Sequence, residues 1–511
     1  MPLSRHWPEM ALMIVAAVAY EYIRGIDLTH DVAWQLWIAR QMLHGLQLYR
    51  DIWELNPPLW FWTAVPIELL AERFGIWAGR IVIVLTVVMG LFSALLVGRL
   101  APWQGQSQRF MLMCACFCIC VLMPMFDFGQ REQTALICAL PYAALISRRR
   151  DGHSLPTGFA LVVGLFGAYG FALKHYFVLV PILLELWLLM KLRRDWRPLR
   201  PELIALGAAA TAYALAVVIF AREFLTTIVP MVDLAYQGYQ TPLSQHFDEP
   251  AQVIWGLAII ALGLARWQRG QAKAAFTSAL CITAAAFAVA YFLQRKGWQY
   301  HAIPVTATLL LALVTHMIPY GRHAIARFPL AIVTMAFAAL VSFGQGSYNN
   351  FLRAGSEPLL DNVAKGEPVA ILSADPMWAW PIIDKNGFRW PLHIYSLWMI
   401  PSIAHAEMMG PPSPDLEALG DRLRKQTDVD MRCSPPAIIL FERRSRYPMQ
   451  PQGFDVSAFF LRDASLRAFI AQHYAEEPRT RYFRIFRRQH AVTASTDRHC
   501  VHAVPPLAPV Q

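Results

Sequence analysis

The chain has 511 residues, 56% of them hydrophobic and 16% charged, with a formal net charge of +10. Soluble domains carry about 25% charged residues, so this deficit argues against an ordinary soluble protein. The basic excess comes as short clusters between apolar runs: Arg148-Arg149-Arg150, then Lys191, Arg193, Arg194, Arg197 and Arg200, then Arg266, Arg269 and Lys273. Membrane orientation requires that distribution, and it excludes nucleic acid as a partner.

A hydrocarbon core about 30 Å thick needs roughly 20 apolar residues as helix. Such runs fall near 10–26, 77–98, 109–125, 133–147, 156–173, 177–191, 202–221, 252–266, 274–294, 302–319 and 328–345. The first is interrupted by Glu21 and lacks a cleavage site of the A-x-A kind, so it reads as a span rather than a signal peptide. With the N-terminus inside, the inner connections hold most of the Lys and Arg between spans, and the longer outer loops hold fewer. The expected fold is therefore a polytopic helical membrane protein of about 11 spans over residues 1–345. A soluble α/β domain over 346–511 then lies outside the cytoplasm, periplasmic if the membrane is a bacterial inner membrane.

The first outer loop, 27–76, contains VAWQLWIARQMLHGL at 32–46. Its spacing predicts a short amphipathic helix in the membrane interface, with Trp34 and Trp37 at headgroup depth. Asp31 stands at the start of that helix, where its plainer role is an N-cap. YRDIWELNPPLW follows, bringing Asp51, Glu54, Asn56, Pro57 and Pro58. The double proline predicts a rigid extended segment, and rigid loops bearing carboxylates at a membrane face are where chemistry is placed.

The stretch HDVAWQLWIARQMLHGLQLYRDIWELNPPLWFW resembles the GT-C superfamily of membrane glycosyltransferases, whose members include the protein O-mannosyltransferases and the lipid A aminoarabinose transferases. The resemblance extends to layout: about eleven spans, a large first outer loop and a soluble C-terminal region outside. It implies an inverting transfer from a polyprenyl-phosphate-sugar donor to a lipid, glycan or protein hydroxyl. Asp31 then matches the family's first-loop acid, the general base on the acceptor. Relatives often carry Lys before the double proline to meet the donor phosphate. Here that position is Asn56, so the phosphate contact must come from elsewhere.

Three further outer segments offer it. FDFGQREQ (126–133) brings Asp127, Arg131 and Glu132, with Arg131 as a phosphate contact and Asp127 resembling a second-loop acid. The structural alternative is an Arg131–Glu132 or Arg131–Asp127 pair. Lys174-His175-Tyr176 follows the fifth run, where a lysine commonly snorkels. RKGWQYHAIP (295–304) holds Arg295, Lys296, Trp298, Tyr300 and His301, suited to a phosphate headgroup and a stacked sugar, or to an aromatic belt with basic anchors. The transferase reading expects these cations and Asp31 to meet in one pocket.

No cofactor is indicated and no metal-ligand cluster is evident, although Asp127 and Glu132 leave a divalent ion open. Cys114, Cys116, Cys118 and Cys120 alternate within an apolar run and read as inert buried residues. Cys433 and Cys500 pair if their segment faces an oxidising compartment. Beyond 346, strand-like runs at 369–375, 437–442 and 481–487 alternate with amphipathic helices at 414–425 and 456–477, the pattern of a small α/β domain. The runner-up reading is a transporter or flippase of a lipid-linked or anionic substrate, and a third is a scaffold. A permease places charge at mid-span, and Glu185 is the one such residue that stands out.

Overall fold

The structure, a computed structural model, describes residues 28–102, 105–124, 127–247, 250–267, 274–317, 355–410, 413–445, 450–451, 453–495 and 500. The expected spans near 10–26 and 328–345 lie outside the described residues. In chain order the principal elements are α1 (His30–Leu43), α2 (Leu59–Phe74), α3 (Ala78–Leu100), α4 (Gln106–Val121), α5 (Arg131–Arg150), α6 (Thr157–Ala172), α7 (Leu179–Leu192) and α8 (Pro201–Phe220). Then come α9 (Val229–Ala235), α10 (Pro250–Trp267), α11 (Ala274–Gln294), α12 (Gln299–Met317), β1 (Val369–Leu372), α13 (Ile400–Met409) and α14 (Pro414–Cys433). The chain closes with β2 (Ile438–Glu442), α15 (Val456–Phe460), α16 (Ala464–His473), β3 (Tyr474–Glu477) and β4 (Phe483–Arg488).

The protein is mostly helical, with a small C-terminal sheet. Nine of the eleven expected runs fall on helices α3 to α8 and α10 to α12. Among the described residues, four helices are long and apolar enough to cross a membrane: Ala78–Leu100, His175–Asp195, Pro201–Phe220 and Ala275–Gln294. Shorter apolar helices lie at Gln108–Val121, Thr157–Ala172, Phe224–Ala235 and Gln299–Thr315. Among the described residues, length and composition thus support four of the expected spans, and two of the eleven lie outside those residues.

The chain divides into two compact units. The first comprises Val82–Ala216 and the described part of 241–346; the second comprises Leu28–Ile81, Val217–Gln240 and the described part of 347–511. The segment after 346 thus shares its unit with most of the first loop and with 217–240.

Helix α5 is the core of the first unit. From Arg131 to Ser147 every residue except Thr134 is buried, and α4, α6, α7, α11 and α12 pack around it. A helix covered on all sides must be small enough to be approached closely, and Ala135, Cys138, Ala139, Ala143 and Ala144 serve that need. A Cβ on Gly170 of α6 would stand 2.5 Å from the Cys138 Cβ, and one on Gly164 would stand 2.6 Å from the Glu202 carbonyl oxygen. Both glycines are therefore required by contact. Glu185, the mid-span exception, is paired: it accepts from Tyr142 at 3.0 Å and Trp196 at 3.1 Å and forms an ion pair with Arg200. Arg149 forks onto Glu202 at 2.9 and 3.0 Å. Cys114, Cys116, Cys118 and Cys120 are buried and unbridged, as inert residues would be.

In the second unit the sheet order is β1-β2-β4-β3. β1 and β2 are parallel, with Val369 opposite Ile438, whereas β4 runs antiparallel to both β2 and β3. β1 and β2 are buried along their whole length, which is why each reads as an unbroken apolar run. Ser413 caps α14, with Pro414 in its first turn. The helix expected over 456–477 is broken. Asp455 caps α15, Asp463 caps α16, and the last residues of the expected helix form β3. A second capping aspartate supplies a new start that periodicity alone did not register. Cys433 and Cys500 are disulfide-bonded.

Candidate functional site

Three segments far apart in sequence converge in the first unit. Glu132 lies in the first turn of α5, His301 in the first turn of α12, and Lys174 in an extended residue between α6 and the turn His175–Val178. A carboxylate in a first helical turn is favoured by the positive helix end. Lys174 Nζ donates to Glu132 Oε1 at 2.5 Å and stands 3.3 Å from His301 Nε2, itself 3.4 Å from the same carboxylate oxygen. The three residues are 8%, 1% and 3% exposed for Lys174, Glu132 and His301, and Arg131 beside Glu132 is 4% exposed. Burial at this level rules out a snorkelling lysine. Glu132 is held by Lys174, with His301 beside it.

Aromatic rings flank the cluster. Tyr300 lies 4.2 Å and Trp298 5.4 Å from the His301 ring, the Lys174 ammonium is 5.4 Å from the Tyr300 centroid, and the Lys296 ammonium is 4.7 Å from that of Trp298. His175 is exposed, its ring 3.9 Å from half-buried Tyr176. Arg295 is exposed and left-handed at φ 51°, and its carbonyl accepts from the Thr241 amide at 2.7 Å. Asp127 is half-buried in the turn before α5, with its N–H on the Pro124 carbonyl at 2.9 Å.

The first-loop residues belong to the second unit, and there the structure corrects three expectations. Helix α1 forms where expected, but Val32 to Gln41 are all buried, so it is a core helix and not one lying in an interface. Trp34 stacks on Tyr395 at 3.9 Å and 12°, and Trp37 packs 5.4 Å from Trp380. The cap of α1 is Thr29, whose side chain accepts from the Val32 amide. Asp31 is thereby relieved of that role. Its Oδ1 accepts from Trp34 Nε1 at 3.3 Å and lies 3.3 Å from His30 Nε2, and its side chain is 14% exposed. Third, Pro58 has ψ −18° and caps α2, so the double proline starts a helix instead of continuing an extended run.

The other first-loop polar residues hold the loop together. Asp51 accepts from the Gln47 amide at 2.7 Å. Glu54 Oε1 takes both the backbone and side-chain N–H of Asn56, at 2.7 and 2.6 Å, and Tyr49 donates to the Asn56 carbonyl at 2.6 Å. Burial pushes the Tyr395 phenol well above its ordinary range, and Glu54, then Tyr236, Tyr239 and Asp31, add to the effect. The first-loop acids therefore share a polar environment with a C-terminal tyrosine that sequence reading did not single out.

Two buried acid networks were also missed. Arg40 Nε meets Glu68 at 3.2 Å and its Nη1 meets Asp384 at 2.7 Å, with every side chain 5% exposed or less. Burial raises the Glu68 carboxyl to about 7 despite Arg40. Glu442 ends β2, where it accepts from Ser373 at 2.8 Å and from Trp378 Nε1 at 3.2 Å. Burial, then the neighbouring Asp375, lifts it to about 8. The signal for each was a lone acid inside an apolar run, in FWTAVPIELL and AIILFE.

The structure thus brings Lys174 and His301 together, adds Glu132, and places Asp31 in the other unit. Among the described residues, no group of three or more His, Cys, Asp or Glu is placed to hold a metal ion. No protein-family model matches the chain, and no curated protein matches it. Each unit is therefore described by its own chemistry: the first by a buried ammonium–carboxylate–imidazole cluster flanked by aromatic rings, the second by a carboxylate that accepts from an indole.

Proposed function

We propose that the protein is an inverting glycosyltransferase of the membrane, moving a sugar from a polyprenyl-phosphate donor to the hydroxyl of a lipid, glycan or protein. The observation that carries this reading is the convergence of Glu132, Lys174 and His301, three expected outer-face segments, within 3.4 Å of one another. Asp31 is the proposed base; Trp34 Nε1 donates to its carboxylate. The reading includes a topology of about eleven spans with the N-terminus inside. The Cys433–Cys500 bond fits a C-terminal segment in an oxidising compartment such as the periplasm.

In the reaction, the Asp31 carboxylate takes the proton of the acceptor hydroxyl as its oxygen attacks the anomeric carbon. The bond from that carbon to the phosphate oxygen breaks with its electron pair, and polyprenyl phosphate leaves. A departing phosphate is stabilised by positive charge, most strongly where water is excluded. A well-placed base contributes about 10²–10⁴-fold. Asp31→Asn is therefore expected to reduce transfer by that factor while leaving protein abundance unchanged, read by mass spectrometry of surface glycans and lipids. Normal transfer by this variant removes Asp31 from the mechanism. Unaltered glycans on deletion of the gene, together with lost flux of a lipid-linked or anionic solute, favour transport instead.

A further inference from the structure

Glu132 and His301 each hold a polar atom that the cluster itself does not use. Among the described residues, Glu132 Oε2 and His301 Nδ1 are buried and have no hydrogen-bond partner. Buried polar atoms are nearly always satisfied, by protein, ordered water or a ligand, so this pair offers two unused positions for a hydroxyl group. The two atoms sit on groups whose inner atoms, His301 Nε2 and Glu132 Oε1, are 3.4 Å apart, so they belong to one cluster.

The roles of the two atoms follow from Lys174. An ammonium carries donors only, and it stands 3.3 Å from His301 Nε2. Nε2 must then accept, and in the neutral imidazole the proton sits on Nδ1, which donates. Glu132 uses Oε1 on Lys174 at 2.5 Å and keeps Oε2 as an acceptor. The open pair is one donor and one acceptor. A phosphate oxygen ionised at neutral pH only accepts, and an alkyl chain does neither. An alcohol hydroxyl does both.

We infer that Glu132 and His301 form a sugar-hydroxyl recognition pair, Glu132 Oε2 accepting from a ligand O–H and His301 Nδ1–H donating to the same or the adjacent oxygen. Lys174 fixes the two side chains in register. The inference deepens the transferase reading by naming the residues that choose the sugar, and its geometry stands without that reading.

The test uses full-length protein in lipid nanodiscs and three probes: farnesyl phosphate, farnesyl phosphate carrying a hexose or pentose, and the corresponding methyl glycosides. The sugar-bearing lipid is expected to bind about tenfold tighter than farnesyl phosphate. His301→Gln keeps an acceptor for Lys174 near Nε2 but lacks the donor at Nδ1, and should lose that increment. His301→Asn keeps an N–H near Nδ1 and should retain most of it. Glu132→Ala should lose it as well. The inference is overturned if the sugar adds no affinity, or if His301→Gln keeps the increment and His301→Asn loses it. Binding of farnesyl phosphate without a sugar increment leaves the transferase reading and removes this one. Methyl glycosides bound with the expected variant pattern, alongside no farnesyl phosphate binding, do the reverse.

Discussion

Glu442 makes a direct prediction about stability and pH. Its carboxyl is raised from 4.5 to about 8 by burial and by Asp375, so the folded chain holds a proton there that the unfolded chain releases near 4.5. Between those limits the native state binds more protons, and stability must fall as pH rises. At about 1.4 kcal/mol per unit, a shift of this size removes about 3 kcal/mol by pH 7 and about 5 kcal/mol above pH 8. Glu442→Gln keeps a carbonyl oxygen for Trp378 Nε1 or Ser373 and cannot ionise. Thermal unfolding of the full chain in nanodiscs, followed by tryptophan fluorescence from pH 5 to 8.5, should show a falling midpoint in the native protein and a flatter profile in the variant. Glu68, raised to about 7, contributes a loss of the same sign in both proteins, so the difference between the two profiles isolates Glu442. Parallel profiles refute the reasoning.

Three other outcomes are expected. Arg40→Met leaves Glu68 and Asp384 buried without their shared cation and should cost about 3–5 kcal/mol, with partial recovery as pH falls and Glu68, no longer held down by Arg40, takes a proton; a loss under 1 kcal/mol by chemical denaturation counts against the network. Trp34→Phe keeps an aromatic ring for Tyr395 to stack on but removes the indole donor from Asp31. The transfer rate should fall about tenfold, since a hydrogen bond to a charged group is worth about 1.5 kcal/mol, and an unchanged rate means that the bond does not hold the base in place. Replacing Cys433 and Cys500 together by serine opens a link across 67 residues and should lower stability by about 2–4 kcal/mol, seen as an earlier thermal transition that reducing agent reproduces in the native chain and leaves unchanged in the variant.

Most helices were legible because a run of apolar residues bounded by charge has few other uses. α3 and α8 were read nearly to the residue from hydropathy. The apolar run in α5 is short, 133–147, and its place explains why. Arg131, Glu132 and Arg149 belong to ion pairs or buried contacts inside the unit, so charge sits where lipid exposure would forbid it. α2 was overlooked because Pro66 and Glu68 interrupt its apolar stretch, although Glu68 is the partner of Arg40. β3 was lost in an expected helix because its four residues, YAEE, carry no strand signal of their own, and pairing with β4 makes them one.

The order of residues by itself determined that this chain is apolar, helical and ends in a small α/β segment, since hydropathy, periodicity and cap residues act over a few turns of backbone. It also selected the segments carrying Asp31, Lys174 and His301. Only the tertiary structure decided that Lys174 is held by Glu132 and that α1 is covered by Tyr395 and Trp380. Those facts depend on side chains as many as 361 positions apart, Trp34 and Tyr395 among them, and no local rule of spacing or propensity encodes a distance of that kind.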